Sequence, residues 1–404
     1  MTNTPGHHWL DEERLRVYPR ILVVMSGLAA IVYLATVRDG LDFRGAPLGT
    51  DFVTFYAASK LALAGRAADV FDYQLLADAQ RTVFPTYDGG PFAWFYPPTF
   101  LLVVAPLALL PYVPALVAFV GASFAGWLAA LRRAIARPGA GWLIASFPGL
   151  WVCVAHGQNG LLTAALAGGS LLLLPRRPML SGVLLGLLII KPHLAVLFAV
   201  ALLAARAWRT MLVAVATAVV ALGASVVAFG RDTLNAWLGT LQIARVAIEQ
   251  GYLPWSKMPS TFAALRLLGT PVAGAYVGHA AVALAAAVAV WLVWRRTDDL
   301  ALRGTVLMAG TFLVNPYAFD YDLVWLAFPI AWMALYGLAN GWRKGDREVL
   351  VLAWLLPALG TAIAAATHVQ LAPIALAALV WIAVRRVWTP RRAATVEVGG
   401  GGPS

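Results

Sequence analysis

The chain has 404 residues, 61% of them hydrophobic and 12% charged, with a formal net charge of +11 and a mean hydropathy of +0.76. A soluble domain carries about 25% charged residues, so the composition excludes an ordinary water-soluble globule and implies an all-α polytopic membrane protein. The single cysteine, Cys153, excludes an intrachain disulfide and reads as a buried, inert thiol.

The basic balance describes topology and does not imply nucleic-acid binding. Twenty of the thirty Lys and Arg fall in the tails or in five short linkers, around 132–137, 176–177, 206–209, 295–303 and 343–347. Enough apolar chain for two crossings separates each consecutive pair, so the positive-inside rule makes these linkers cytoplasmic. The other ten lie in two long loops, about 38–96 and 231–270, apart from Lys191. Long translocated loops escape the rule, which leaves Lys191 as the one cation needing a special reason.

In chain order, a cytoplasmic tail over 1–19 precedes a first helix at about 20–37, beginning after Pro19 and read as a retained anchor because no small-residue cleavage site follows. The first outer loop carries apolar helical patterns over 52–68 and 69–83, expected to be interfacial helices along the membrane surface. Residues 97–131 are too long for one plain crossing and contain Pro106, Pro111 and Pro114. They predict a crossing plus a broken or re-entrant piece. Further crossings follow near 141–156, 158–174, 179–191, 193–205, 208–229, 272–294, 302–316, 322–341, 348–366 and 370–388. That gives about twelve, with both termini cytoplasmic. The second outer loop has an amphipathic stretch from Trp237 to Ile248. Residues 20–390 read as a single membrane domain, and 391–404, rich in glycine, as a disordered cytoplasmic tail.

Five polar motifs interrupt this pattern: Gly49-Thr50-Asp51-Phe52, Tyr96-Pro97-Pro98, Gly157-Gln158-Asn159-Gly160, Lys191-Pro192-His193, and Asn315 through Asp322. The charge pattern puts all five at the outer face. Each has a plain structural reading. Asp51 can support a helix N-terminus, Tyr-Pro-Pro can start a helix, Gly-Gln-Asn-Gly can be a hairpin turn, and Asp320 and Asp322 can cap. Lys191 resists this treatment, because a Lys inside an apolar stretch costs a few kcal/mol on insertion scales. It needs an anionic ligand or a carboxylate such as Asp320 or Asp322. The six histidines are too scattered for a zinc set. A transporter or flippase of lipid-linked sugars is the alternative use of such residues, but a transporter usually shows repeats and midplane polar groups. No repeat is evident.

Taken together and in this order, an Asp before an aromatic-rich helix, Tyr-Pro-Pro, Gly-Gln-Asn and Lys-Pro resemble glycosyltransferase family 87, over about residues 20–390. The resemblance implies a C-type membrane glycosyltransferase fold and a polyprenyl-phosphate-linked hexose donor, mannose favoured. It also implies a glycan or glycolipid hydroxyl acceptor and an active site facing out of the plasma membrane. Asp51 matches the general base. Lys191 and His193 are assigned to the donor phosphate, and Tyr56, Trp94, Tyr96, Gln158, Asn159, Tyr317, Asp320, Tyr321 and Asp322 to sugar, acceptor or lysine. No metal or cofactor is implied. The departure is at 315–322, where mannosyltransferases of this kind carry a histidine and this chain has none, leaving sugar and acceptor open.

Reporter fusions test the topology. Fusions after Arg177, Arg209 and Arg296 are expected to report cytoplasm, and those at Asp88 and Gly251 the outside. A cytoplasmic signal at Asp88 would remove the outer site.

Overall fold

The computed structural model describes residues 9–388 except 88 and 138, so the expected tail at 391–404 lies outside the described residues. Eighteen α-helices follow one another, and no strand is found among the described residues. The first seven are α1 (Glu12–Ala35), α2 (Phe52–Leu63), α3 (Tyr73–Val83), α4 (Pro98–Val104), α5 (Tyr112–Ile135), α6 (Gly141–Ala145) and α7 (Pro148–His156). Then come α8 (Gly160–Leu173), α9 (Pro178–Gly186), α10 (Val196–Ala204), α11 (Trp208–Phe229), α12 (Arg231–Glu249) and α13 (Thr261–Leu267). The last five are α14 (Val272–Arg296), α15 (Leu300–Val314), α16 (Ala327–Asn340), α17 (Asp346–Thr367) and α18 (Ala372–Trp388). Among the described residues six helical segments are long and apolar enough to cross a membrane, and several shorter apolar helices accompany them. The protein is a multi-pass, all-helical membrane protein.

Prolines set many of the boundaries. Pro98, Pro148 and Pro178 open α4, α7 and α9, while Pro111 and Pro271 precede α5 and α14. Each sits where its missing N–H would have had no helical partner anyway. The 97–131 stretch divides as expected. Helix α4 runs into a tight 3₁₀ turn over 105–109, Pro111 ends it, and α5 is then a 24-residue helix long and apolar enough to cross.

Two expectations need correction. Helix α1 does not wait for Pro19 but begins eight residues before Arg20, at Glu12, and contains the proline. The Asp11 carboxylate caps it by accepting from the Arg14 N–H at 2.8 Å. The proline ring deletes only the bond to the Leu15 carbonyl, too little to stop a helix nucleated upstream. Nor does α2 lie along a surface. Ten of its twelve residues are buried, because α3, the 67–71 turn, α4 and the 105–109 turn enclose it on all sides. Helix α3 is the amphipathic cover, with Leu76, Ala77 and Gln80 turned inward.

The enclosure makes a second core beside the main one. Phe52 and Phe55 of α2 meet Trp94, Phe100 and Phe119, with Phe55 edge-on to Phe100 at 5.0 Å and Phe52 at 5.9 Å from Phe119. Such aromatic pairs add about 0.5–1.5 kcal/mol each beyond the area they bury. The main core joins α5 and α7–α10 to α14–α18. At one end of the bundle the basic linkers meet one another. Arg343 and Arg385 join 343 to the end of α18, Arg385 and Arg386 both bind Asp346, Arg296 covers Trp388, and Arg20 covers Trp142. The five polar motifs converge at the other end.

Candidate active site

Asp51 occupies the N-cap position of α2, yet its side chain makes no capping bond. The preceding turn, with Gly49 at φ 75° and Thr50 at φ 23°, points the carboxylate elsewhere. Its Oδ2 accepts a 2.8 Å bond from Gln158 Nε2. The Gln158 Oε1 in turn accepts from the Tyr96 hydroxyl at 3.0 Å and the Asn159 N–H at 3.2 Å. The glutamine amide is thus fixed in orientation, and it fixes Asp51. Among the described residues, Asp51 Oδ1 accepts no hydrogen bond.

Both glycines around this glutamine are demanded by packing. Gly157 ends α7 in the left-handed region, φ 60°, and a Cβ there would lie 2.7 Å from Phe52 Cβ and 2.9 Å from the Gly49 carbonyl oxygen. A Cβ on Gly160 would lie 2.6 Å from the Tyr321 carbonyl oxygen. The first glycine lets the 157–160 turn close on the Asp51 segment, and the second lets it close on the 320–326 3₁₀ segment. One short turn therefore touches both halves of the site.

Lys191 stands between two 3₁₀ turns at the apex joining α9 to α10. Its Nζ donates to both oxygens of Asp322, at 2.7 and 2.8 Å, and more weakly to Asn159 Oδ1 at 3.4 Å. Both side chains of the pair are shut off from solvent, at 2% and 0% exposure. The ammonium also faces the Tyr321 ring at 5.0 Å and the Tyr96 ring at 5.9 Å. Asp322 completes its shell by accepting from the Phe319 N–H at 3.2 Å. The charge of Lys191 is therefore compensated by Asp322, one of the two carboxylates the sequence offered as its partner.

The remaining sequence candidates divide. His193 lies edge-on to Tyr317 at 5.5 Å, with a buried Nε2 that has no hydrogen-bond partner. Asn159 Nδ2 and Asn315 Nδ2 are likewise buried and unpaired. These three buried, unpaired polar groups all lie on the motifs that converge here. Tyr321 stacks on Phe319 at 5.5 Å. Tyr56 and Trp94 do not join. The Tyr56 hydroxyl donates to the Leu110 carbonyl and the Trp94 indole to the Tyr96 carbonyl, both as parts of the aromatic core. Asp320 turns away from Lys191, accepting from the Thr361 hydroxyl at 2.8 Å and the Tyr321 N–H at 2.9 Å.

Two residues escaped the sequence reading. His156, the last residue of α7, lies 5.9 Å ring to ring from Tyr321. It contacts Lys257 of the second long loop, Nζ to Nε2, at 3.2 Å. Lys257 sits in a loop length that the positive-inside rule ignores, so it read as an interfacial charge. The Pro254–Pro259 bracket was its only signal. Among the described residues no three His, Cys, Asp or Glu side chains are grouped to hold a metal ion.

A multi-pass helical bundle with a carboxylate, amides, tyrosines and a paired lysine gathered at one end has the make-up of a membrane-embedded enzyme. The family model for glycosyltransferase family 87 matches residues 94–316, more than half of the chain. The chain belongs to glycosyltransferase family 87 and is a membrane glycosyltransferase. No curated protein and no solved structure matches it. The matched region contains Tyr96, Gln158, Asn159 and Lys191, while Asp51 and Asp322 lie outside it.

Two outcomes follow from this geometry. Lys191→Ala leaves Asp322 buried and uncompensated, and breaking a buried pair costs about 3–5 kcal/mol. The double variant Lys191→Met with Asp322→Leu is expected to be markedly more heat-stable in detergent than Lys191→Ala alone. Gly157→Ala is expected to lose about 1–3 kcal/mol from overpacking against Phe52, with a fall in transfer activity even in the fraction that stays folded. Unfolding curves of purified protein, paired with activity of the folded fraction, check both.

Proposed function

We propose that the protein transfers a hexose, mannose favoured, from a polyprenyl-phosphate-linked donor to a hydroxyl of a glycan or glycolipid acceptor, with Asp51 as the general base. The observation that carries this reading is the Asp51 carboxylate, held by Gln158 through one oxygen while the other has no partner among the described residues. A base needs to be oriented yet open to the proton it takes. The Asp51 oxygen accepts the acceptor hydroxyl proton, the acceptor oxygen bonds to the anomeric carbon, and the bond from that carbon to the phosphate oxygen breaks. The electron pair stays on the departing polyprenyl phosphate. A single displacement inverts the anomeric centre, so a β-linked donor gives an α-product.

Asn159, Asn315 and His193 offer unpaired polar atoms for sugar hydroxyls, and Tyr96, Tyr317 and Tyr321 offer ring faces. The same reading includes about twelve crossings in one domain over about 20–390, a C-type arrangement, both termini in the cytoplasm and the site facing outward; the six long apolar helices and the shorter ones between them support it. The segments Pro178–Ile190 and Pro192–Ala204 flank Lys191. At about 1.5 Å per residue each reaches roughly 20 Å, short of a hydrocarbon core about 30 Å thick. Their apex then lies below the outer surface, where irregular backbone needs protein or water partners and where a lipid-borne phosphate arrives.

The test is Asp51→Asn, which keeps volume and the bond from Gln158 but removes the proton acceptor. Transfer from a polyprenyl-phosphate hexose is expected to fall about 10²–10⁴-fold with folded yield unchanged, while Asp78→Asn on the exposed face of α3 stays near wild type. Full specific activity in well-folded Asp51→Asn would remove the residue from the mechanism. Movement of lipid-linked sugar with no glycosidic product would favour transport instead.

A further inference from the structure

The two cations that touch the side chains of the site are not equivalent. Lys191 has spent its charge on Asp322 through two short bonds. Lys257 has not. Among the described residues its ammonium has one polar partner, the His156 imidazole at 3.2 Å, and no carboxylate within ion-pairing distance. His156 Nδ1 lies 2.8 Å from the Val152 carbonyl, an acceptor, so Nδ1 carries the ring proton and Nε2 presents a lone pair to Lys257. One ammonium proton is thereby engaged and two remain.

The lysine is also held in place. Gln370 Nε2 donates to the carbonyls of Ser256 and Met258, one on each side of it, at 2.9 and 3.2 Å. The Trp255 indole donates to the Ile248 carbonyl at 2.7 Å and lies 4.6 Å under the Arg266 guanidinium. Met258 is fully buried against Phe262. A half-buried cation on an anchored backbone is preorganised for a ligand. Its location is the site itself. His156 precedes Gln158 by two residues, so their Cα atoms are within about 7 Å of each other, and Gln158 holds Asp51. Asp320 lines the recess beside Lys257, but its oxygens are occupied by Thr361 and the Tyr321 N–H.

We propose that Lys257, seated on His156, binds the phosphate group of the donor and carries its charge as it leaves, making residues 255–258 a donor-recognising arm. This rests on the polyprenyl-phosphate reading above. As the bond from the anomeric carbon to the phosphate oxygen breaks, the two uncommitted N–H groups of Lys257 hydrogen-bond to the oxygens that gain charge. No proton is transferred. Asp51 is bonded to the 156–158 turn through Gln158 and Lys257 through His156, and the proposal gives the first the acceptor and the second the leaving group.

The experiment uses the full chain in nanodiscs, with free polyprenyl phosphate as inhibitor and as stabilising ligand. A charge-assisted bond is worth about 1.5–3 kcal/mol, or roughly 10–100-fold in affinity. Lys257→Gln is expected to weaken inhibition by polyprenyl phosphate by at least about tenfold and to raise the KM for the donor, with ligand-free thermal stability unchanged. Lys257→Arg is expected to restore most of both, and Arg81→Gln, an outer surface charge on α3, to change neither. Unchanged inhibition in Lys257→Gln, or no rescue by arginine, overturns the assignment while leaving the donor reading intact. Equal competition by phosphatidylglycerol vesicles also overturns it and makes the site a headgroup site. A wild-type enzyme that turns over but ignores polyprenyl phosphate sinks the donor reading itself.

Discussion

A lysine and an aspartate, 131 residues apart in sequence and both removed from solvent, form the constraint on which the site end of this bundle depends. Taking two ions out of water costs several kcal/mol apiece, and only close geometry with further hydrogen bonds repays it. Here the geometry is supplied in full. Two short bonds join Lys191 to Asp322, Asn159 and two tyrosine rings complete the lysine, and the Phe319 N–H completes the aspartate. The pair holds the apex between α9 and α10 against the segment entering α16. With Asn159 tied to Lys191, the adjacent Gln158 is left to face Asp51.

Adjacent amides thus do different work. Asn159 belongs to the structural charge pair and Gln158 to the Asp51 carboxylate, and the two are one peptide bond apart. Such a division requires the turn that carries them to approach two other backbones at once. Gly157 and Gly160 permit the approach, each at a distance no Cβ could share. The neighbouring aromatic core, built around the enclosed α2, keeps the Asp51 side from yielding.

Much of this was legible in the sequence because membrane helices are written in long apolar runs and their interruptions stand out. The all-α class, the motifs and the broken 97–131 stretch all followed from that contrast. What failed to show has a common cause. Sequence gives the cost of burying a charge but not which partner relieves it, so Asp320 and Asp322 were equal candidates for Lys191 until the 3₁₀ turn directed one to the lysine and the other to Thr361. Likewise α2 has the composition of an interfacial helix, and only the chain folded over it makes it core. Tyr56 reads as a ring that could pack on a sugar, yet it lies in the aromatic core and its hydroxyl donates to the Leu110 carbonyl. Lys257 was set aside because loop lysines are ordinarily solvated.

The long separation of Lys191 from Asp322 also has a meaning in time. Chains emerge from the ribosome at about 5–20 residues per second, so some 7–26 seconds pass between synthesis of the lysine and synthesis of its counter-ion. For most of that interval α9 and α10 are complete and the charge at their apex lacks its carboxylate. Something else has to solvate it: lipid headgroups, water drawn into the bilayer, or the insertion machinery. Closure of this ion pair is then a late event of biogenesis, and the orientation of Gln158 toward Asp51 depends on it.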